Sequence, residues 1–480
     1  MSKKKSKGDG IYFTGEAAND VTGSQYLVKF GEYQCLFECG LHQSKSNSYL
    51  DSYKINSAKF KFKPSEIDYL FVAHPHIDHC GLIPRLVKEG FRGKIITTRN
   101  TALVMKSLLL NSCYIVMDES RILSKRYNRH YAPLYEEDDV YNALSLIHVY
   151  DDYHTIYKLN DTISFQWLEN SHCVGAAQLQ LILSNNCKTR KILYTSDIGS
   201  LSSKNHYLTN TEIPTMFNDV VIMESTYGNA TRINKKTREF DVEHLRVAIE
   251  TVLERKGSVL LPCFSFSRTQ ELLTTLYDIF GNDDKFKTQI VVDSKLSCEL
   301  CDLYENLLYG DDLKYWKKVY NWNNVKFITE KLDSQACIAD NSPKIIISSS
   351  GFCTNGRIVN YLQKYLKDTN SMIIFSGYTG DNPSYLSYRI KNYRDHKIIN
   401  INKSAIANKA DCITLSTFSS HAGHNDLIQY GSSLLTNKLI LVHGSEESKN
   451  CLANKLRAAI SKNNKTYRVQ PSTKNMVVHL

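Results

Sequence analysis

From Ile67 to Leu82 the chain reads Ile-Asp-Tyr-Leu-Phe-Val-Ala-His-Pro-His-Ile-Asp-His-Cys-Gly-Leu, and no other stretch limits so sharply what it can fold into. Tyr69 to Val72 has the β-branched and aromatic character of a buried strand. It leads into His74-Pro75-His76-Ile77-Asp78-His79, after which the apolar spacing of Leu82, Ile83 and Leu86 predicts a helix. Four metal-capable side chains, His74, His76, Asp78 and His79, thus fall on one strand-to-helix turn. Pro75 holds the turn out of both regular structures, which lets His74 and His76 converge. Asp78 is expected at the helix N-cap, with His79 in the first turn. Imidazole and carboxylate are the ligands of catalytic rather than structural zinc. Four such groups overcrowd a single tetrahedron, so the turn is expected to serve two metals. The competing reading, histidines satisfied in a core, does not account for this spacing.

Length and composition set the frame around that turn. At 480 residues two or three domains are expected, and 42% hydrophobic residues supply ample cores. No run of about 18 apolar residues occurs, so no membrane span is expected. Residues 1–10, Met-Ser-Lys-Lys-Lys-Ser-Lys-Gly-Asp-Gly, read as a basic, solvated tail rather than a secretory signal, because no long apolar segment follows. The net charge of +10 and pI near 8.8 suit a polyanionic partner. Thirteen scattered cysteines, several inside apolar runs, read as reduced thiols of a cytoplasmic chain. The one Cys-x-x-Cys pair, Cys298 and Cys301, has no second pair at zinc-ribbon spacing and sits among leucines at helical spacing, so it is read as structural.

Other potential ligands follow predicted strands. Tyr26 to Phe30 and Gln34 to Phe37 read as a hairpin turning at Gly31, the second strand ending in Glu38-Cys39-Gly40-Leu41-His42. A strand over 162–168 ends in Glu169-Asn170-Ser171-His172, and one over 191–195 ends in Ser196-Asp197-Ile198-Gly199. Ends of neighbouring strands meet at one sheet edge, so His172 and Asp197 can complete the site begun at His74. The segment 121–135 mixes Arg121, Lys125, Arg126, Arg129 and His130 with Tyr127, Tyr131 and Tyr135, a composition that can grip nucleic acid or form a solvated helix face. Helix is predicted over about 102–110.

A second α/β pattern begins after the polar stretch 205–217. Predicted strands over 220–223, 258–263, 290–293, 344–347 and 372–375 alternate with helices, which argues for a mostly parallel sheet. Several run into Gly/Ser-rich turns, Ser348-Ser349-Ser350-Gly351-Phe352 and Ser376-Gly377-Tyr378 among them, whose N–H groups could form a phosphate track. After about Lys409, Ser420-His421-Ala422-Gly423-His424 precedes a predicted helix, and a strand over 439–442 ends in His443-Gly444.

The pattern His74-x-His76-x-Asp78-His79 resembles the signature of the metallo-β-lactamase superfamily. Glu224-Ser-Thr-Tyr-Gly, Ser420-His421-Ala422-Gly423 and Val442-His443-Gly444 resemble the three later motifs of its β-CASP nucleases. Pro262-x-Phe264 with Ser267-Arg268-Thr-Gln-Glu271, and Ser350-Gly351-Phe-x-Thr-x-Gly356-Arg357, resemble the family's internal sequence, and Phe13-Thr-Gly15 with Val21-Thr22-Gly23-Ser24 its opening strands. The likeness spans about residues 11–460 and is nearest to prokaryotic RNA-processing relatives of the pre-mRNA 3′-end cleavage endonuclease.

That resemblance implies an α/β fold, a metallo-β-lactamase αββα sandwich with an inserted β-CASP α/β domain. The expected segments are a lactamase-like domain over 11–210, a β-CASP domain over 211–405 and a return segment over 406–480. It implies two Zn2+ ions, one on His74, His76 and His172, the other on Asp78, His79 and His443, with Asp197 bridging. It further implies His421 as general acid oriented by Glu224, with Asp78 and Asp197 also in the catalytic machinery. Arg268, Ser350, Gly351, Arg357 and Ser420 are expected to bind substrate. Glu38 stands where the family usually has Asp, a carboxylate that supports the metal-binding turn. The implied activity is zinc-dependent hydrolysis of RNA, endonucleolytic or from the 5′ end. The implied partner is single-stranded RNA, tracked between the two domains past basic clusters at 121–130 and 232–238. No membrane is involved, and a homodimer is admissible. A DNA nuclease of the same superfamily, which typically carries Val at the position of His443, and a non-catalytic RNA-binding subunit remain the alternatives.

Overall fold

The computed structural model describes residues 8–44, 48–203, 205–229, 237–393, 397–463 and 465–480. Most of the predicted basic tail, and most of the basic cluster expected over 232–238, lie outside the described residues. The chain forms two compact units, Met1–Ser203 with Leu208–Ile233 and Ser420–Leu480 in the first, Lys204–Tyr207 with Asn234–Ser419 in the second.

The first unit is built on two seven-stranded sheets. One runs in the order Val477–His479, Gly10–Phe13, Tyr26–Phe30, Tyr33–Phe37, Tyr69–Val72, Lys94–Thr97 and Ile147–Val149. The other runs Arg468–Pro471, Thr436–Val442, Asn218–Glu224, Thr189–Tyr194, Ala177–Ser184, Ile163–Glu169 and Tyr157–Lys158. Period-two alternation decides which residues each strand sends inward. Tyr26, Val28 and Phe30 join Phe165, Trp167, Leu179 and Leu181 in the core shared by the two sheets, while Leu27 turns to the opposite face. Beyond the first sheet, Met105, Leu109 and Cys113 of helix Arg99–Tyr127 pack with Leu86 and Val87. Beyond the second, Leu427 and Tyr430 of His424–Ser433 and Leu452 and Leu456 of Glu446–Lys462 do the same. Helices thus cover both outer faces, and the unit is an αββα sandwich.

The second unit holds a six-stranded sheet, ordered Val325–Ile328, Gln289–Asp293, Lys344–Ser348, Val259–Pro262, Met372–Phe375 and Asp411–Thr414. Every pair in it is parallel, as the alternation of strands and helices predicts. Its four central strands are near-continuous apolar runs, Ile345-Ile346-Ile347 and Val291-Val292 among them, because both faces are covered.

Several local readings are corrected. Strand Asn218–Glu224 lies in the first unit, not in an insertion starting at 211, because it pairs in parallel with both Thr189–Tyr194 and Thr436–Val442. Strand Asp411–Thr414 pairs with Met372–Phe375 and groups with the second unit, and the last segment of the first unit is Ser420–Leu480. The helix read over about 102–110 extends across Arg99–Tyr127. It is long and apolar enough to cross a membrane by length and composition, yet its buried side packs in the core just described. It also absorbs much of the basic-aromatic segment. Tyr135 is fully buried with its hydroxyl on Ser112 Oγ at 2.9 Å, and Tyr131 packs edge-on to Tyr53, while Arg121, Lys125, Arg126, Arg129 and His130 stay exposed. Cys298 and Cys301 are buried thiols outside any disulfide on helix Lys295–Leu307.

Leu181 is wholly buried between the sheets, whereas Ile156 is 61% exposed. Leu181→Ala should cost the first unit about 2–5 kcal/mol, and Ile156→Ala no more than about 0.5 kcal/mol. Urea unfolding followed by far-ultraviolet circular dichroism reads both, and equal midpoints would misplace the core.

Candidate metal centre

The site stands on the C-terminal ends of strands from both sheets of the first unit. Thr189–Tyr194, Asn218–Glu224 and Thr436–Val442 are parallel neighbours, so the residues that follow them gather at one edge. They bring Asp197, Glu224 and His443. Ile163–Glu169, two antiparallel pairings away, runs the same way and brings His172. In the facing sheet Tyr33–Phe37 and Tyr69–Val72 are parallel and deliver Glu38 and the His74–His79 turn. Asp78 is not the helix cap. His76 takes that place with no side-chain cap, and Asp78 falls inside the short helix Ile77–Cys80.

Backbone geometry at these strand ends is unusual. Glu38, Ser196 and His443 have φ of 58°, 55° and 49°, left-handed values that non-glycine residues hold only under compulsion from their surroundings. Gly40 is required by packing, since a Cβ there would stand 1.6 Å from the Asp78 carbonyl oxygen. Gly199 is pressed against the His172 loop in the same way, with a Cβ at 2.4 Å from His172 N. The Asn170 side chain binds two ligand loops together, its amide donating to Asp197 O at 2.7 Å and its oxygen accepting from His172 N and Gly199 N, both at 3.1 Å.

The side chains converge in two groups. His74, His76 and His172 form one, with His172 Nε2 and His76 Nδ1 3.1 Å apart. Asp78, His79, Asp197 and His443 form the other. Asp197 belongs to both neighbourhoods. Its Oδ2 lies 3.7 Å from His74 Nε2 and 3.8 Å from His172 Nε2, while its Oδ1 lies 3.4 Å from His79 Nε2 and 3.4 Å from His443 Nδ1. His443 Nε2 is also 3.4 Å from Asp78 Oδ2. His421 stands at the rim, Nδ1 on Glu224 Oε1 at 3.0 Å and Nε2 at 4.0 Å from Asp197 Oδ2.

These residues fit a metal, and the unpaired atoms say so. Among the described residues, His74 Nε2 and Asp197 Oδ1, both facing the shared space, are buried without a hydrogen-bond partner, which costs about 1–3 kcal/mol per group in an ordinary interior. Nitrogens about 2.0–2.1 Å from one tetrahedral zinc lie roughly 3.3–3.4 Å apart, close to the His76–His172 spacing. Electrostatics agree. Burial and the neighbouring imidazoles hold His74 and His172 well below the usual histidine range, and burial takes His76 down to about 4, so their lone pairs are available at neutral pH. Burial alone would raise Asp197, but His443 and His79 outweigh it and keep the carboxylate ionised. At His79 burial is overridden by Asp197 and Asp78, which pull positive charge onto that spot.

Three residues not predicted for the site orient its histidines. Ser196 Oγ lies 2.9 Å from His74 Nδ1 and donates to Glu38 Oε1 at 3.4 Å. Thr226 Oγ1 lies 3.0 Å from His443 Nδ1. Asn170 is the third, as above. The serine and threonine sit inside quoted motifs, but nothing in their spacing marks them as partners of a histidine. Glu38 accepts from Ala73 N at 3.1 Å and lies 3.7 Å from His79 Nδ1, so the longer carboxylate still reaches the metal-binding turn.

The expected substrate-binding residues divide differently. Ser420 adjoins His421 in the first unit, while Arg268, Ser350, Gly351 and Arg357 belong to the second. Arg268 is 7% exposed and paired with Glu271, which also takes Arg238 at 2.9 Å. Arg357 is held by Asp293 at 2.6 Å and by the carbonyls of Ile328, Thr329 and Glu330. Ser350 spends both its N–H and its hydroxyl on Asn355 O. These groups hold turns together, a role their motif positions do not separate from substrate binding.

Three domain families match the chain: the metallo-beta-lactamase superfamily over residues 18–99, the Beta-Casp domain over 269–383 and the Zn-dependent metallo-hydrolase RNA specificity domain over 406–467. Ribonuclease TTHA0252 of Thermus thermophilus is 27% identical, over 90% of this chain and 92% of its own length. Endoribonuclease YSH1 of Kluyveromyces lactis is 24% identical over 90% of this chain but 55% of its own, so the chain spans about half of that relative. Transcription termination factor FttA of Methanocaldococcus jannaschii is 26% identical over 91% and 66%. The crystal structure of a protein of unknown function from Enterococcus faecalis V583 shares the fold with a TM-score of 0.53 at 13% identity, covering 99% of this chain and all of that one.

Because Glu38 touches both the His79 ring and, through Ser196, the His74 ring, Glu38→Ala should weaken metal binding by about 10–100-fold. Competition against a chromophoric zinc chelator measures it, with circular dichroism to confirm folding. Unchanged affinity in the folded variant would detach Glu38 from the metal centre.

Proposed function

We propose that this chain, a member of the metallo-β-lactamase superfamily with an inserted Beta-Casp domain, is a ribonuclease that hydrolyses RNA phosphodiesters with two zinc ions. The observation that carries the reading is the placing of Asp197, whose two oxygens face different sets of imidazoles, the arrangement a carboxylate shared between two metals requires. His74, His76 and His172 would hold one ion, Asp78, His79 and His443 the other, with Asp197 between them. Zinc bound there supplies Lewis acidity and a water acidic enough to attack phosphorus near neutral pH.

The chain's own residues supply the rest. Ser196, Thr226 and Glu38 fix ring orientations so that lone pairs point inward. His421 is assigned to proton transfer. Its side chain is 22% exposed where the ligand side chains of His74, His172 and His443 are 4% or less, so substrate can reach it. Burial lowers its basicity, but the Glu224 carboxylate on Nδ1 reverses this and favours the protonated ring. That proton, held at Nε2, is available to a departing oxygen while Glu224 steadies Nδ1. RNA as substrate is supported by the ribonuclease relatives and by the matched RNA specificity domain. A reducing cytoplasmic setting is supported by thirteen unpaired thiols.

Metal analysis of the zinc-supplemented protein should approach two equivalents per chain, and one or fewer would end the dinuclear reading. RNA labelled at either end, linear and circular, with matched DNA, separates the modes of cutting. Cleavage of circular RNA would require endonuclease action, and preference for DNA would overturn the substrate assignment.

His421→Ala should keep both metals yet lose about 10²–10⁴-fold in rate, the span of a general acid. His443→Ala should lose metal as well. A sulfur leaving group, which needs no proton, should restore much of the rate to the His421 variant only. Rescue of both, or metal loss in His421→Ala, would reverse the assignments.

A further inference from the structure

The C-terminal edge of the second unit's sheet presents aromatic rings that the fold itself does not call for. Three adjacent strands end there, Lys344–Ser348, Val259–Pro262 and Met372–Phe375, and the turns that follow them carry Phe352, Phe264 and Tyr378. Phe264 is 51% exposed and Tyr378 43%, so each forfeits much of the burial that normally holds an aromatic side chain in place. Both are nonetheless braced. Phe352 meets Phe264 edge-on at 5.5 Å and Tyr378 edge-on at 6.1 Å, and is itself backed by Tyr385 at 5.0 Å. Gly351 lets the Phe264 ring lie against the backbone, where a Cβ would stand 3.3 Å from it.

In open α/β sheets the C-terminal strand ends are where ligands bind. The polar side chains expected to receive substrate at this edge are committed elsewhere, Arg268 to Glu271, Arg357 to Asp293 and Ser350 to Asn355. What the edge offers instead is a set of π-faces held at fixed angles. Such faces suit unpaired nucleobases, which stack on aromatic rings whatever their identity.

We propose that Phe264 and Tyr378, braced by Phe352, form a base-stacking platform for single-stranded RNA on the second unit. This rests on the ribonuclease reading for its choice of ligand and adds a contact that is indifferent to sequence. An oligoribonucleotide carrying 2-aminopurine tests it, because stacking quenches that base. The parent protein should quench it on binding. Phe264→Ala and Tyr378→Ala should each weaken binding roughly 5–100-fold and diminish the quench, as expected for loss of one stacked base. Phe264→Leu keeps apolar bulk without a π-face and should lose as much as alanine, whereas Phe264→Trp should retain both binding and quench. Variants that bind and quench as the parent does would overturn the platform, as would a leucine variant indistinguishable from the parent. Hydrolysis of bis(p-nitrophenyl) phosphate, an ester without a base, is measured on the parent alone. If the parent cleaves neither that ester nor RNA, the nuclease reading fails by itself and the quench still decides the platform.

Discussion

The burial of Asp197 among imidazoles is the constraint on which the first unit depends. His74, His79, His172, His421 and His443 all lie within 4.0 Å of its carboxylate, and Asp78 and Glu38 add negative charge close by. Taking this many polar groups out of water is costly unless something pairs with them, and His74 Nε2 and Asp197 Oδ1 find no hydrogen-bond partner among the described residues. A metal ion held there would accept the lone pairs that face the shared space and offset the negative charge. The rest of the unit can be understood as what is needed to keep those atoms from relaxing apart.

Two features do that work. Core packing between the sheets, through Phe165, Trp167, Phe71 and their neighbours, fixes the strands so that their ends cannot separate. At the ends, left-handed backbone at Glu38, Ser196 and His443 turns the chain sharply enough for side chains to point into the shared space. Such conformations cost on the order of 1–3 kcal/mol each and persist where surroundings over-determine them. Here Asn170, Thr226 and the close approach of Gly40 to Asp78 supply that determination.

The second unit follows different rules. Its motif arginines are engaged within the unit, with Arg357 capping carbonyls beside Asp293 and Arg268 sharing Glu271 with Arg238. Arginine within a family motif therefore does not imply arginine on the substrate. A guanidinium offers five donors in a fixed fork, which serves a buried turn as well as a phosphate. Exposed aromatic rings at the same edge then become the more informative feature.

What the sequence by itself determined was local chemistry and periodicity. His74-x-His76-x-Asp78-His79 after an apolar run sufficed to announce a metal-binding strand-to-helix turn, and alternation of strands with helices sufficed for a parallel sheet in the second unit. Both are readable because they depend on neighbours along the chain. Tertiary structure alone decided which sheet each strand joins, and so where the units begin and end. Asn218–Glu224 and Asp411–Thr414 are both short strands, and their pairing partners assign one to each unit. It also decided that Ser196 and Thr226 lie against histidines, that Tyr135 is buried, and that Arg268 and Arg357 are already engaged. Hydrogen bonds and ion pairs between residues far apart in the chain carry no periodic signal, because their geometry exists only once the sheets have closed around it.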